Sequence, residues 1–415
     1  MEQEVNAQRK KRPYVRWAVR IAVCAAAAAC AWPWEDGPAR LTGAVPSLSP
    51  FTALLAVAAG AGSLWLLGAL AVAVACVVSP RLFCRWLCPL GTCQDALSSR
   101  MRRRSWLGRV PQIGLWIVFL GLGAALAGYP LFGWLDPLAI FNAAFGMARG
   151  HLTRTDWAAA SGLPLVLILA LAAPGLWCGR LCPLGAFQDL LRFPLRRAAT
   201  PAVREKEVVS LGRRAFLGLG LGAGYRLVIP PSRERSAPVI RPPVTGADSR
   251  FTRLCVRCGA CVRACPSGII RFGGAGAGWA GVLAPEVRFD FDYCPASCTA
   301  CGQACPVGAI PKFTVEQKSA SPMGVAVVDH ETCLLSAGRE CGACAAACPH
   351  EALDVVWNKK ALASRVAVNA KACTGCGYCE YVCPSDPRSI VILPLGSVGK
   401  SACEQRRMRR RGRWG

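Results

Sequence analysis

Sixteen of the 25 cysteines in this chain fall into four tight groups, and that spacing limits the second half more than any other feature does. The first group is Cys255, Cys258, Cys261 and Cys265 with Pro266, the pattern C-x2-C-x2-C-x3-C-P. The second is Cys294, Cys298, Cys301 and Cys305 with Pro306, and the third is Cys333, Cys341, Cys344 and Cys348 with Pro349. The fourth, Cys373, Cys376, Cys379 and Cys383 with Pro384, returns to the regular spacing. Disulfide frameworks belong to small secreted domains, whereas clusters this tight suit metals. Thiolates separated by two residues let one loop wrap three irons of a cubane. A fourth cysteine before proline starts a new segment that reaches the other cluster of a pair. Zinc ribbons need no such pattern. Four [4Fe–4S] clusters are therefore expected. Gly259, Ala260, Gly302, Gly342, Ala343, Gly375 and Gly377 allow close backbone approach to the sulfides, and short apolar pieces such as Ile269-Ile270 and Ile390-Val391-Ile392 read as small strands. Groups one and four are regular while two and three are not. Nested pairing, one with four and two with three, would keep like with like, and neighbour pairing is the alternative.

The first half is of another kind. The chain is 53% hydrophobic yet 18% charged, which fits a composite of membrane and soluble parts. Apolar stretches run over 17–34, 51–79, 112–134 and 157–177, each near or above the ~20 residues that span a bilayer core. The first contains Arg20, which near a helix end can snorkel to the interface. Arginine and lysine concentrate before the first stretch, after the second and after the fourth, whereas the 35–50 and 135–156 loops hold few. An inside N-terminus with four alternating spans satisfies every loop. Only His151, His330 and His350 are present, none in an apolar run, so a membrane b-haem is not expected. No C-x-x-C-H occurs for c-type haem. The formal charge of +25 comes mostly from arginine, and without an aromatic–basic groove pattern no nucleic-acid partner is expected.

Two inside loops are near-repeats: CRWLCPLGTCQD at 84–95 and CGRLCPLGAFQD at 178–189. The unit reads as a duplicated two-helix hairpin whose inner end carries C-x-x-x-C-P. Cys84, Cys88, Cys178 and Cys182 would lie on one membrane face, the right number of thiolates for one further cluster or metal. The alternative is four cysteines that never meet. Cys93 is matched by Phe187 in the repeat and is left out. Cys24, Cys30 and Cys76 read as small apolar residues.

Between the halves, SLGRRAFLGLGLGAG (210–224) places Arg213-Arg214 before Phe216-Leu217 and a mild apolar run, with prolines at 230, 231, 238, 242 and 243. It resembles a twin-arginine signal, the address of proteins exported already folded. That implies an outside location for the cysteine-rich half, with this segment as a fifth pass. GLGLGAG (218–224) lacks the flanking strand and acidic residue of a dinucleotide site.

Residues 240–262 (IRPPVTGADSRFTRLCVRCGACV) and the third group, C-x7-C-x2-C-x3-C-P, resemble the twin-arginine-exported ferredoxins of the NapG/MauM type. The paired C-x-x-x-C-P loops resemble the NapH-type quinol-oxidising membrane partner and the membrane domain of nitrous-oxide reductase accessory proteins. There are two departures. No ferredoxin motif lies between Cys182 and Cys255, where NapH-type proteins carry more, and the second group is C-x3-C-x2-C-x3-C.

The expected layout is a basic cytoplasmic N-terminus (1–16), a four-span membrane domain (17–200), a twin-arginine-like helix and Pro-rich linker (201–250), an α+β bacterial-type polyferredoxin domain (251–398) and a solvated basic tail (399–415). The expected place is the bacterial inner membrane, with the ferredoxin domain periplasmic. The resemblance implies an electron-transfer component rather than a stand-alone catalyst. Its partners would be lipid, quinone and a periplasmic cytochrome or reductase, with quinol as donor. A maturation or reactivation factor for a periplasmic metalloenzyme and a cluster-based redox sensor are the other readings.

Overall fold

A computed structural model describes residues 2–34, 38–98, 109–149, 153–195, 204–228, 239–274, 281–358 and 363–395. The basic tail and the prolines at 230, 231 and 238 lie outside the described residues.

The N-terminal half is helical. Helix α1 (Glu2–Ala31) contains an apolar window at Tyr14–Ala31 long enough to cross a membrane. Next come α2 (Arg40–Ser47) and α3 (Pro50–Ala58), bent by 95° at their junction. Ser49 makes that corner, its Oγ accepting from Thr52 N while Pro50 fills the first helical position, where its missing N–H costs nothing. The 51–79 stretch is thus divided between α3 and α4 (Leu66–Val78), with a glycine at positive φ, Gly60, in the break. After it come α5 (Leu82–Trp86), α6 (Pro89–Ser98) and the 14-residue α7 (Ile113–Leu126). Beyond α7, α8 (Pro137–Ala144) is capped by Asp136, and α9 (Arg154–Ala160) and α10 (Gly162–Ala172) form the second membrane-length helix. Helix α11 (Pro183–Leu191) repeats α6.

Arg20 turns inward rather than snorkelling. It is buried, pairs with Asp95 at 2.8 Å and donates to Gly91 O at 2.9 Å. In the second repeat, the corresponding Asp189 is held by Arg81. The twin-arginine-like segment is a continuous helix, Arg204–Val228. It packs on α7 through glycines: a Cβ on Gly222 would sit 2.3 Å from Leu120 O, and one on Gly123 2.4 Å from Leu219 O. Such small-residue contact is how helices approach where water offers no driving force.

The C-terminal half is mixed α/β. Strands β1 (Ile270–Phe272) and β2 (Pro285–Val287) pair antiparallel, as do β4 (Leu353–Asn358) and β5 (Ala363–Val368). Strand β3 (Gly324–Val328), ahead of the third cysteine group, pairs with β6 (Ile390–Pro394), behind the fourth, in the register Ala326↔Ile392. Two-stranded ribbons are marginal alone. Here they close over a core that contains cysteines as well as Phe251, Phe289, Ile310, Ile390 and Ile392.

The halves form one packed body. Arg263 donates to Thr42 O at 2.8 Å, and Thr42 Oγ1 to Ala260 O at 3.3 Å. Arg257 donates to Pro130 O at 3.0 Å, Thr155 Oγ1 to Phe272 O at 2.7 Å, and Arg271 faces Asp156 at 3.7 Å. On the N-terminal side these polar contacts come from the stretches 40–50, 130–137 and 154–156.

Candidate metal centres

The sixteen thiols of the C-terminal half are free and buried or half-buried. Each motif forms a loop whose third cysteine enters a short helix: Ala260–Ala264, Ala300–Ala304, Ala343–Ala346 or Tyr378–Tyr381. Local spacing accounts for three thiols per set, and the long-range path supplies the fourth. Cys255, Cys258 and Cys261 are joined by Cys305 of the second motif. Cys294, Cys298 and Cys301 are joined by Cys265 of the first. Cys333, Cys341 and Cys344 take Cys383, and Cys373, Cys376 and Cys379 take Cys348. Neighbouring motifs therefore exchange their fourth cysteines, and nested pairing is corrected. The reason lies in the packing: the helices Ala260–Ala264 and Ala300–Ala304 lie side by side, and β3–β6 brackets motifs three and four in one unit.

The sets are chemically suited to iron–sulfur clusters. Burial first, and then the neighbouring Cys305 and Cys255, pushes the Cys258 thiol up to about 12. Burial does the same for Cys294, again to about 12. Such crowded buried thiols become thiolates only against a compensating cation, which bound iron supplies. Backbone N–H groups already point at sulfur: Ile310 N to Cys305, Ala326 N to Cys373 and Ala352 N to Cys348, at 3.3–3.4 Å. Cys333, Cys341, Cys344 and Cys383 line a partly open hollow of about 380 Å³.

Buried cations that the sequence does not single out also stand beside the thiols. Lys318 is buried, with Nζ bonded to Pro295 O and Cys298 O beside Cys294 and Cys301. Arg263 lies beside Cys258 and Cys261, and burial lowers its guanidinium to about 10. Neither has a sequence signal, because both are placed by folding. A buried positive charge favours the more negative, reduced state of a neighbouring centre. Lys318→Met is therefore expected to lower the reduction potential of the centre at Cys265, Cys294, Cys298 and Cys301 while the iron content stays unchanged, as read by redox-poised EPR.

The sets also meet in a definite order. Cys261 is within electrostatic reach of Cys301, and Cys379 of Cys344. Between the two units Cys294 N donates to Cys376 O at 2.9 Å, Tyr293 stacks on Tyr378 with centroids 3.9 Å apart, and Arg388 donates to Phe289 O. A Cβ on Gly377, at φ +83, would collide with Phe289 at 2.1 Å, so the junction requires glycine there. The order from the N-terminal half outward is the set completed by Cys305, then by Cys265, then by Cys348, then by Cys383.

In the N-terminal half Cys84, Cys88, Cys178 and Cys182 are brought into one another's electrostatic reach. Cys24 and Cys93 also face each other, sulfurs 3.9 Å apart.

Paired four-thiol loops packed in this way define a ferredoxin-type iron–sulfur protein, built for electron transfer. Residues 254–309 and 339–386 match the 4Fe-4S dicluster domain family, and residues 61–108 and 155–200 match a 4Fe-4S binding domain. The methylamine utilization ferredoxin-type protein MauM of Methylobacillus flagellatus is 38% identical over 175 residues, 39% of this chain and 72% of the relative. MauM of Methylophilus methylotrophus is 34% identical over 46% of this chain and 88% of its own length. The ferredoxin-type protein NapG of Escherichia coli K12 is 34% identical over 44% of this chain and 86% of its own length. The chain belongs to the NapG/MauM family of ferredoxin-type proteins. No solved structure matches it.

Proposed function

We propose that this protein is an inner-membrane electron carrier in which a NapH-like membrane half, with four spans and the helix Arg204–Val228 as a fifth pass, is fused to a four-cluster ferredoxin. It would take electrons from quinol and deliver them to a periplasmic cytochrome or reductase. The observation carrying this reading is the docking of the ferredoxin half on stretches 40–50, 130–137 and 154–156. Along the sequence these stretches alternate with the arginine-rich loops, which the positive-inside rule would keep in the cytoplasm. Sixteen cysteines in four exchanged sets would hold four [4Fe–4S] clusters, which supply one-electron chemistry when bound. The protein's own contribution is to keep neighbouring sets in contact, to bury half of the sixteen cysteines and to place Arg263 and Lys318 beside the first two sets. The chemistry at either end of the path would be left to partners.

The test uses the full-length chain purified anaerobically in detergent. A quinol analogue is expected to bleach the cluster absorbance. Bleaching by dithionite but not by ubiquinol or menaquinol analogues removes the proposed donor. In spheroplasts, protease added outside is expected to degrade the ferredoxin half, and protection there with cleavage in inverted vesicles would reverse the topology.

A further inference from the structure

Cys84, Cys88, Cys178 and Cys182 each have a hydrogen-bonding partner, and these partners follow the sequence repeat. Cys88 and Cys182 cap helices α6 and α11, each followed by proline, and their sulfurs accept from Gly91 N at 3.3 Å and Gly185 N at 3.4 Å. The other two sulfurs are served across the repeat. Gln188 of the second loop donates Nε2 to Cys84 of the first at 3.2 Å, and Gln94 of the first lies 2.7 Å from the Cys178 sulfur of the second. Both glutamines are buried, Gln94 at 4% and Gln188 at 0% exposure. Cys76 donates its thiol to Gln188 Oε1 at 3.3 Å, which holds that amide with Nε2 toward Cys84.

One detail breaks the symmetry. Gln94 faces Cys178 through Oε1, and its buried Nε2 has no hydrogen-bond partner. Which amide atom faces the sulfur depends on the charge on that sulfur. A thiol donates to the amide oxygen, whereas a thiolate accepts from the amide nitrogen. With Cys178 as a thiolate, Gln94 turns over, its orphaned N–H gains an acceptor, and the arrangement at Gln188 is reproduced.

We propose that the two C-x-x-x-C-P loops build one shared tetrathiolate iron–sulfur centre, with Gln94 and Gln188 as positioning residues that donate across the repeat to Cys178 and Cys84. The matched 4Fe-4S binding domain covers each loop separately and so includes two of these cysteines each time; neither pair alone supplies the four ligands of a cubane. The proposal rests on the electron-transfer reading above and adds to it a redox centre in the N-terminal half.

The test uses the whole chain, purified anaerobically, with iron analysis and redox-poised EPR. Cys84→Ser and Cys178→Ser come from different repeats, yet each is expected to remove the same centre. Each would lower iron by about four per chain, and the double variant would lose no more. Additive losses, or no loss of iron, overturn the shared centre. Signals of the sixteen ferredoxin cysteines serve as the folding control and also separate this proposal from the wider one, since they report that half independently. Should a serine variant lose those signals too, Gln94→Leu and Gln188→Leu decide. Both are expected to retain full iron and to shift one centre, and only one, to lower potential, because removing an N–H donor destabilises the reduced state. Unchanged potentials would make the glutamines packing residues and overturn the assignment.

Discussion

Cys265→Ser is expected to abolish the centre whose other ligands are Cys294, Cys298 and Cys301, while the centre of its own motif, Cys255, Cys258 and Cys261, survives. Cys265 is buried and lies beside Cys294 and Cys301, and its own motif is completed by Cys305. The loss should be about four irons per chain. Electron flow should suffer more than that share, because this set stands second in the order. It lies between the set docked on the N-terminal half and the one joined to it through the hydrogen bond of Cys294 to Cys376. Cys383→Ser, in contrast, touches the terminal set and should leave transfer through the first three intact. EPR of both variants at stepped potentials checks this, and equal damage to the first set by Cys265→Ser would sink the exchanged pairing.

Gly43→Val is expected to separate the halves without emptying either. A Cβ at position 43 would lie 2.3 Å from the backbone oxygen of Ala304, and one at Gly133 2.4 Å from that of Val256. Neither neighbour is a side chain that can swing away. Overpacking of this kind costs about 1–3 kcal/mol, and here the strain is relieved by parting the interface rather than by unfolding a core. Dithionite should therefore still reduce every cluster of the variant, while reduction from the membrane half slows by roughly tenfold, the rate equivalent of ~1.4 kcal/mol. Limited proteolysis should release the ferredoxin half more readily. Wild-type rates in a Gly43→Val, Gly133→Val double variant would show that these contacts do not carry the junction.

The cysteine motifs were legible because cluster loops are local. Spacings of two or three residues within one loop determine which three thiols converge, whatever the rest of the chain does. The duplication at 84–95 and 178–189 was legible for the same reason, since Cys, Pro, Leu, Gly, Gln and Asp recur in register. The helical character of the first half followed from apolar stretches, but their lengths misled where a polar corner intervened. Ser49-Pro50 turns α2 into α3, and a break separates α3 from α4, so the 51–79 stretch is not one helix. Arg20 read as an interfacial residue because its partner, Asp95, lies far along the chain.

What the sequence determined by itself was the chemistry of the four cysteine groups and the symmetry of the two C-x-x-x-C-P loops. The tertiary structure alone decided which motif lends its fourth cysteine to which, that Lys318 and Arg263 stand beside the thiols, and that Gln94 and Gln188 reach across the repeat. Each of these depends on residues tens to hundreds of positions apart meeting in a packed interior. A spacing of two residues is written in the chain, but a contact between Cys265 and Cys301, or between Arg263 and Thr42, exists only once the intervening segments have closed.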